Sequence, residues 1–441
     1  VKIPVRIVKQ RDSVRVGPFE VEYIPVSHSI PEPNALAIRT PAGTVLHTGD
    51  WKLDPAPGIG LATDDNRLAA LGEEGVLALV CDSTNAIRDG VSPSEGEVAV
   101  VLERLIAEAP ERVAITTFAS NVARLKAVAA AAVRAGREVV VVGRAIRRAL
   151  DVARELGYLE GLPEFLDQDA FQHLPRNKVA ALLTGSQGEP RAALSRVASG
   201  DHRAIRLARG DRVIFSSRTI PGNERAVNTI INALVDLGAE VITDRDGLVH
   251  TSGHPRRDEL RQLYDWVKPR IVVPVHGEAL HLHEQAKLAR AAGIPEVVEA
   301  RNGRMVRLAP GPAEMIDSVP TGRFYRDGRL VASHAASGVV DRRRLAFAGV
   351  VSVAIVLSDS GDVLEDPSVT LLGLPENDAQ GEALRAIAED AVDEALDSLP
   401  KPKRRDAGAV GDAIRRALRG GLEAAWGKKP QTIVHVTHVS D

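Results

Sequence analysis

The stretch RVAITTFASNVARLKAVAAAAVRAGREVVVV, residues 112–142, decides the fold class. RVAITT and EVVVV are short apolar runs typical of buried strands, and the alanine-rich segment between them is a good helix former that ends at Gly136. The same alternation extends from Ser94 to about Val241. It predicts helices near 95–108, 144–156, 190–199 and 223–237 and strands at VAALLT, RVIF and EVIT. Strand and helix in regular alternation indicate a parallel α/β sheet.

The flanking segments follow other patterns. Between Val21 and His47, the runs VEYIPV, ALAIRT and TVLH alternate with turns, as in a β-hairpin array. VLALVC at 76–81 and the apolar centre of KPRIVVPVHGE predict two further buried strands. Beyond a proline- and glycine-rich stretch at 309–325, a small separate α/β domain is predicted from VVSVAIVL, helices at 377–398 and 410–426, and TIVHVTHV.

Length and composition exclude several classes of protein. With 441 residues, two or three domains are expected. The net charge of −3 provides no bulk attraction for nucleic acid or an anionic membrane, so a polyanion would need a local basic groove. The single cysteine, Cys81, excludes a disulfide framework and favours a reducing cytosol. No apolar run is long enough to span a bilayer, and a cytoplasmic protein is expected.

Polar residues follow several of the predicted strands. His28, Asp50, Asp82 and His276 each come just after an apolar run. Because reactive groups converge at the carboxyl ends of strands in α/β sheets, these side chains can form one cluster suited to Zn²⁺ or Mn²⁺. In HTGDWKLD, residues 47–54, the carboxylate of Asp50 would bridge two ions. Taken singly, Asp50 fits a turn or cap, and each histidine fits an ordinary hydrogen-bonding role.

Three glycine-containing loops could hold an anion. TGSQGEP (184–190) and TIPGNE (219–224) join a strand to a helix, and HTSGH (250–254) carries two histidines. Each also fits an ordinary turn, and none is a Walker loop. An enzyme with a nucleotide cofactor is disfavoured because no GxGxxG follows a first strand. His281 and His283 are predicted to be surface residues on different sides of a helix.

Together these segments resemble ribonuclease J, of the β-CASP branch of the metallo-β-lactamase superfamily. The resemblance covers most of residues 20–305, in the family's order and at about its spacing. It is carried by VSHSIPEPNALAIRTPAGTVLHTGDWKLD, CDSTNA, TTFASNVARL, TGSQGEPRAALSRVA, IPGNE, HTSGHP and PVHGE.

The resemblance implies an architecture of four parts. An incomplete metallo-β-lactamase αββα sandwich is expected at 1–93 and 246–310, interrupted by a β-CASP parallel α/β domain at 94–245. A linker at 311–335 and a small C-terminal α/β domain at 336–441 complete the expected chain.

The resemblance also implies roles for individual residues. His28, Asp50 and His276 match metal ligands for two Zn²⁺ ions, with Mn²⁺ or Mg²⁺ as alternatives, and Asp50 matches the bridging carboxylate. Asp82 matches an acidic residue that orients a site histidine, and His254 one that assists proton transfer or holds the scissile phosphate. The implied RNA and 5′-phosphate pocket contains Gly185, Ser186, Gln187, Gly188, Asn223, His250 and Ser252.

The implied activity is hydrolysis of RNA phosphodiesters, 5′-to-3′ exonucleolytic and endonucleolytic, in mRNA decay and rRNA maturation. The implied partners are 5′-monophosphorylated RNA, a second copy in a homodimer and an RNA-decay assembly.

One departure qualifies this expectation. The family's HxHxDH motif does not occur in this chain, which begins VKIPVRIVKQ without Met. The matched residues then leave two protein ligands per ion, below the three usual for catalytic zinc. We therefore expect an N-terminally truncated and nearly inactive ribonuclease. The alternative is a non-catalytic RNA-binding or assembly subunit.

Overall fold

The computed structural model describes residues 5–440 of the chain. Two compact units are present, with the division between Val319 and Pro320, inside the segment predicted as a linker. Residues 1–4 and 441, which the predicted domain bounds include, lie outside the described residues. In the described part, no helix has both the length and the apolar character needed to cross a bilayer.

The first unit holds most of the regular structure. Its strands, numbered along the chain, are β1 (Ser13–Val16), β2 (Phe19–Pro25), β3 (Asn34–Thr40), β4 (Gly43–His47), β5 (Ala78–Asp82), β6 (Val113–Thr116), β7 (Glu138–Val142), β8 (Leu166–Asp167), β9 (Val179–Leu183), β10 (Arg212–Phe215), β11 (Glu240–Ile242), β12 (Ile271–Val275), β13 (Glu296–Val297), β14 (Arg304–Arg307) and β15 (Glu314–Ser318). Its helices are α1 (Asp65–Glu74), α2 (Glu95–Ala107), α3 (Val122–Arg134), α4 (Arg144–Glu155), α5 (Ala193–Ala198), α6 (Glu224–Asp236), α7 (Arg257–Val267) and α8 (Ala279–Ala291).

A seven-stranded sheet in the order β1-β2-β3-β4-β5-β12-β13 forms the first layer of this unit. The pairs from β1 to β4 are antiparallel, whereas β4, β5, β12 and β13 run parallel. Helices α1, α7 and α8 bury Leu71, Leu263 and Leu288 in the same core as Leu46 and Leu79 of the sheet. This parallel half matters for function, because the carboxyl ends of β4, β5 and β12 open on one edge.

A second, fully parallel sheet has the order β11-β10-β6-β9-β7-β8. Alternate residues of its strands enter two separate cores, as expected for a sheet covered on both faces. One core contains the helices α2, α3 and α4, and the other contains α5 and α6. EVVVV of the opening stretch is strand β7, and the alanine-rich segment is helix α3, as predicted.

The second unit is smaller. It contains β16 (Phe324–Asp327), β17 (Leu330–Ser333), β18 (Val350–Ser358), β19 (Ser368–Leu372) and β20 (Gln431–Val439), with α9 (Val339–Ala348), α10 (Leu384–Asp397), α11 (Lys401–Arg404) and α12 (Ala407–Trp426). The three-stranded sheet β19-β18-β20 shares a core with α10 and α12.

One predicted helix begins later than expected, and the segment predicted as a linker carries regular structure. The helix predicted over 377–398 begins at Leu384, because 377–383 form a turn closed by a bridge between Asn377 and Ala383. The segment predicted as a linker, 311–335, contains the strands β15, β16 and β17.

Candidate functional site

The four polar residues predicted from strand ends lie on one edge of the first sheet. Asp50 follows β4, Asp82 ends β5, and His276 follows β12. His28 comes just after β2, and His254 lies shortly before α7. His28, Asp50 and His254 form one group of potential metal ligands, and Asp82, His254 and His276 form a second, with ligand atoms within 4.8 Å of one another in each.

Asp50 lies between two imidazoles. Its Oδ2 is 3.7 Å from Nε2 of His28, and its Oδ1 is 3.4 Å from Nε2 of His276. Both distances exceed the 2.7–3.2 Å or so of an N–H···O hydrogen bond. They are close to the spacing of about 3.3 Å between two ligands that bind one tetrahedral ion at 2.0–2.1 Å. Each carboxylate oxygen therefore faces its own imidazole, as a carboxylate that bridges two ions does. We call His28, Asp50 and His276 the metal cluster.

The ring of His28 is oriented by the backbone. Its Nδ1 lies 2.7 Å from the carbonyl oxygen of Gly253, so Nδ1 carries the proton and donates it. The other ring nitrogen, Nε2, is then unprotonated and faces Asp50. Burial lowers the pKa of His28, which favours the neutral form that a metal requires. A Cβ at Gly253 would lie 2.3 Å from Nδ1 of His28, so glycine is required for this approach.

His276 has a strained backbone. Its φ is +54°, in the left-handed region that residues other than glycine seldom adopt. Non-glycine residues in this region cluster at functional sites, where the surrounding structure holds them in place. Here the conformation follows directly after β12 and places the ring opposite Asp50.

Asp82 and His254 form a buried hydrogen-bonded pair. Nδ1 of His254 lies 2.7 Å from Oδ2 of Asp82, whose side chain is fully buried. The other oxygen of Asp82 accepts hydrogen bonds from the backbone N–H and the hydroxyl of Thr84. Burial opposes the charged imidazolium, but the hydrogen bond and charge of Asp82 outweigh it and raise the pKa of His254. Both oxygens of Asp82 are therefore engaged in hydrogen bonds, one of them with the ring of His254.

A cavity of about 440 Å³ opens beside His254, and we call it the histidine cavity. Its wall includes His250, Ser252, His254, Arg88 and Arg218, and it contains no carboxylate. The charged side chains of the wall are therefore cationic, which provides the local basic groove that a chain of net charge −3 needs to hold a polyanion.

His250 stays uncharged in this wall. Burial, together with the positive charges of Arg124, Arg218 and Lys52, lowers the pKa of His250 to about 3. Its Nδ1 is buried and has no hydrogen-bond partner among the described residues. A neutral imidazole at this position can still bond a ligand, because one ring nitrogen donates and the other accepts.

A buried ion pair lies behind His250 and was missed by the sequence analysis. Arg124 is fully buried, and its guanidinium makes a bidentate contact with Glu95 at 2.9 Å for both hydrogen bonds. It also donates to the carbonyl oxygen of Val249 and to the hydroxyl of Ser216. One signal was available in the sequence: Arg124 lies between Val122 and Leu125, on the apolar side of a predicted helix.

Not all predicted RNA-binding residues lie in the cavity wall. His250 and Ser252 do, but Gly185, Ser186, Gln187, Gly188 and Asn223 do not. Gln187 instead braces the neighbouring loop, since its side chain bonds the carbonyl of Arg218 and the N–H of Ile220. His281 is partly exposed and belongs to the cavity wall, whereas His283 is exposed beside Glu299. Two positions apart on α8, these histidines lie on different sides of the helix.

Three family models match the chain. Residues 110–234 match the β-CASP domain of ribonuclease J, residues 238–298 match the Zn-dependent metallo-hydrolase RNA specificity domain, and residues 338–439 match the ribonuclease J C-terminal domain. These matches and the two α/β sheets define the class, a β-CASP protein of the metallo-β-lactamase superfamily, and confirm the predicted fold class.

Relatives that match nearly the whole chain identify one family within this class. The chain is 54% identical over 438 residues to ribonuclease J of Sinorhizobium meliloti, covering 99% of this chain and 78% of that protein. It is 40% identical over 436 residues to ribonuclease J of Mycolicibacterium smegmatis, covering 98% and 77%. Ribonuclease J of Corynebacterium glutamicum is 39% identical over 436 residues, covering 96% and 60%. The chain belongs to the ribonuclease J family.

Proposed function

We propose that this chain is the metal-binding and RNA-binding part of a ribonuclease that hydrolyses phosphodiester bonds 5′-to-3′ and also internally. Its substrates are 5′-monophosphorylated RNAs in mRNA decay and rRNA maturation in the cytoplasm. Zn²⁺ is the proposed metal, with Mn²⁺ and Mg²⁺ as alternatives. A homodimer and an RNA-decay assembly are the proposed higher-order states. Family membership supports these finer assignments.

The observation that carries the proposal is the position of Asp50. Its two oxygens face His28 and His276 at 3.7 and 3.4 Å, beside a cavity whose wall is cationic. Imidazole and carboxylate together suit Zn²⁺ and Mn²⁺, so the donor set fits the proposed metals. A phosphate group in the histidine cavity would lie next to these ligands, which is the arrangement that phosphodiester hydrolysis requires.

The residues of the site would have different roles in the reaction. His28, Asp50 and His276 would hold the metal, which when bound lowers the pKa of water and neutralises phosphate charge. His254, whose pKa the hydrogen bond and charge of Asp82 raise against the effect of burial, would donate a proton from Nε2 to the leaving oxygen. Neutral His250 and the guanidinium of Arg218 would hold phosphate oxygens in the cavity.

The metal cluster alone offers few ligands. With His254 assigned to proton donation and Asp82 to its hydrogen bond, His28 and Asp50 remain for one ion position and Asp50 and His276 for the other. Two protein ligands per ion are fewer than the three of a catalytic zinc site. We therefore propose that the 441-residue chain binds metal weakly and cleaves RNA slowly. A fusion that supplies an HxHxDH-bearing metallo-β-lactamase segment ahead of the chain would cleave much faster.

The test combines metal binding with cleavage. Metal content after dialysis against Zn²⁺ or Mn²⁺ would be measured for the chain, for Asp50→Asn and for Asp236→Asn, an exposed aspartate of helix α6 that serves as the control. The same variants, placed in the fusion, would be assayed on a 5′-monophosphorylated RNA with a 3′ fluorophore. We expect Asp50→Asn to lose both metal and cleavage and Asp236→Asn to retain both.

Two results would count against the proposal. A metal-loaded fusion that leaves the RNA intact but binds it would favour a non-catalytic RNA-binding subunit. Full metal binding by Asp50→Asn would show that the metal lies elsewhere. Rapid cleavage by the 441-residue chain would contradict only the proposed weakness of its metal cluster.

A further inference from the structure

The parallel sheet of the β-CASP region has two places where chain connections diverge. From β6 the chain continues to β7 on one side, while from β10 it continues to β11 on the other, and β6 and β10 are neighbours. From β7 the chain continues outward to β8, while from β9 it continues across the sheet to β10, and β7 and β9 are neighbours. In open α/β sheets, ligands bind in the crevice outside the carboxyl ends of strands at such divergences.

The histidine cavity occupies the first divergence. Its wall includes Phe118 and Ser120, which follow β6, and Arg218 and Ile220, which follow β10. The second divergence holds a separate cavity of about 350 Å³. Its wall includes Gly143, after β7, and Thr184, after β9.

The second cavity is strongly cationic, and we call it the arginine crevice. Its wall contains the guanidinium groups of Arg144, Arg147, Arg191 and Arg196 and a single carboxylate, Asp167, a formal net charge of +3. Arg147 bonds that carboxylate at 2.9 Å. Arg144 and Arg191 have no ion pair or side-chain hydrogen bond among the described residues. A chain of net charge −3 therefore concentrates unpaired positive charge at this point.

His202 supplies a buried donor in the same wall. It is 5% exposed, and its Nδ1 accepts hydrogen bonds from the backbone N–H groups of Ala204 and Ile205. The proton of the neutral ring is therefore on Nε2, which has no partner within the described part of the chain. Burial, followed by the charge of Arg196, lowers the pKa of His202, so the ring presents one N–H without adding charge.

The backbone around the crevice is shaped for close approach. Gly143 has a φ of +117°, and a Cβ there would lie 2.5 Å from the hydroxyl oxygen of Thr184. Gly143 also begins helix α4 without a side-chain cap, which leaves the first N–H groups of the helix for another acceptor. These donors add to the guanidinium groups and to Nε2 of His202.

We propose that the arginine crevice is a phosphate-binding subsite, distinct from the histidine cavity, for a phosphate group of RNA or of a free phosphate compound. Guanidinium groups bind phosphate in bidentate fashion, and the volume accommodates a phosphate with part of a nucleotide. The two strand divergences are two strand spacings apart along one sheet edge, about 10 Å. The RNA source is favoured because Gln187, three residues from Thr184, braces the wall of the histidine cavity; this choice of source rests on the proposed function.

The test measures binding without metal, so that cleavage plays no part. Arg144→Gln with Arg191→Gln removes two unpaired charges from the crevice. The matched control, Arg148→Gln with Arg203→Gln, removes two exposed charges from neighbouring positions that line neither cavity. His202→Asn keeps an oxygen near the position of Nδ1 and removes the donor at Nε2.

Each variant of the 441-residue chain would be titrated with a ten-nucleotide RNA at several salt concentrations, and binding would be measured by fluorescence anisotropy. Binding of inorganic pyrophosphate would be measured by calorimetry. We expect the crevice variant to lower the slope of log K against log salt by about 1.4, the value for two lost single-strand phosphate contacts. The control should change it little, and His202→Asn should weaken binding at constant slope.

The results distinguish RNA from a free phosphate compound as the ligand of the arginine crevice. Loss of pyrophosphate binding with RNA affinity equal to that of the control would assign the site to a free phosphate compound. Crevice and control variants that match for both ligands would overturn the proposal. Because no arm depends on catalysis, failure of the ribonuclease assay with Asp50 intact would leave these results standing.

Discussion

Replacement of Arg124 by methionine is the sharpest test of how the first unit holds its binding residues. The guanidinium is fully buried and donates five hydrogen bonds, two to Glu95, two to Ser216 and one to Val249. Methionine retains much of the apolar volume and supplies none of these donors. The carboxylate of Glu95, 4% exposed, would lose its counter-charge.

The expected loss is large because a charge is left behind. Removing one partner of a buried pair costs about 3–5 kcal/mol, whereas replacing both by apolar groups is often neutral. A loss of this size is a substantial fraction of the 5–15 kcal/mol or so that stabilises a typical domain. Glu95→Leu combined with Arg124→Met should therefore recover part of the stability lost in Arg124→Met alone.

The same two helices supply a matched control. Arg134 of α3 makes a bidentate pair with Glu103 of α2, at 2.6 and 2.8 Å, but both side chains are exposed. Arg134→Met should change stability little, since solvent screens such a pair. Urea unfolding followed by tryptophan fluorescence, with hydrogen exchange of α3 peptides to locate the change, would measure both. Equal losses in Arg124→Met and Arg134→Met would refute the argument.

Three further predictions follow from the site. Gly253→Ala should weaken metal binding by about 10–100-fold, because its Cβ would displace His28 from the carbonyl that orients it; dialysis against Zn²⁺ measures this. Between pH 6.5 and about 3 the unfolded chain takes up a proton at His250 that the folded chain does not, so the free energy of unfolding should fall as the pH drops through this window. Urea titrations of His250→Asn across the same window should show a fall that is smaller by a few kcal/mol. Lys52→Met should lower the free energy of unfolding by about 3–5 kcal/mol, because the buried carboxylate of Asp54, 2.8 Å from the ammonium of Lys52, would lose its counter-charge.

The sequence was informative where local pattern determines structure. EVVVV became β7 because four successive buried valines suit a strand covered on both faces. The gathering of His28, Asp50, Asp82 and His276 was predictable, because parallel strands open their carboxyl ends on one edge. The close approach of Asp50, Asp82 and His276 required only that β4, β5 and β12 be neighbours, whereas His28 comes from the segment after β2.

Contacts between distant segments were not predictable in the same way. Glu95 and Arg124 belong to different helices, and neither the helical period nor a motif relates them. The TGSQGEP loop was assigned to phosphate by its glycines, but Gln187 turns towards the loop at 218–220. The arginine crevice is assembled from five separate segments, and its charge becomes apparent only when the strand order is known.

A chain of buried ion pairs and hydrogen bonds runs from the residues next to the metal cluster to the wall of the histidine cavity. Lys52 and Asp54, two and four residues beyond Asp50, pair at 2.8 Å, and Asp54 accepts the backbone N–H of Glu95 at 2.9 Å. The side chain of Glu95 binds Arg124, which in turn holds the carbonyl of Val249, next to His250. Since contacts within one hydrogen-bond network are not additive, changes at Lys52 and Arg124 should couple. Either change alone should disturb metal affinity and RNA affinity together through this network.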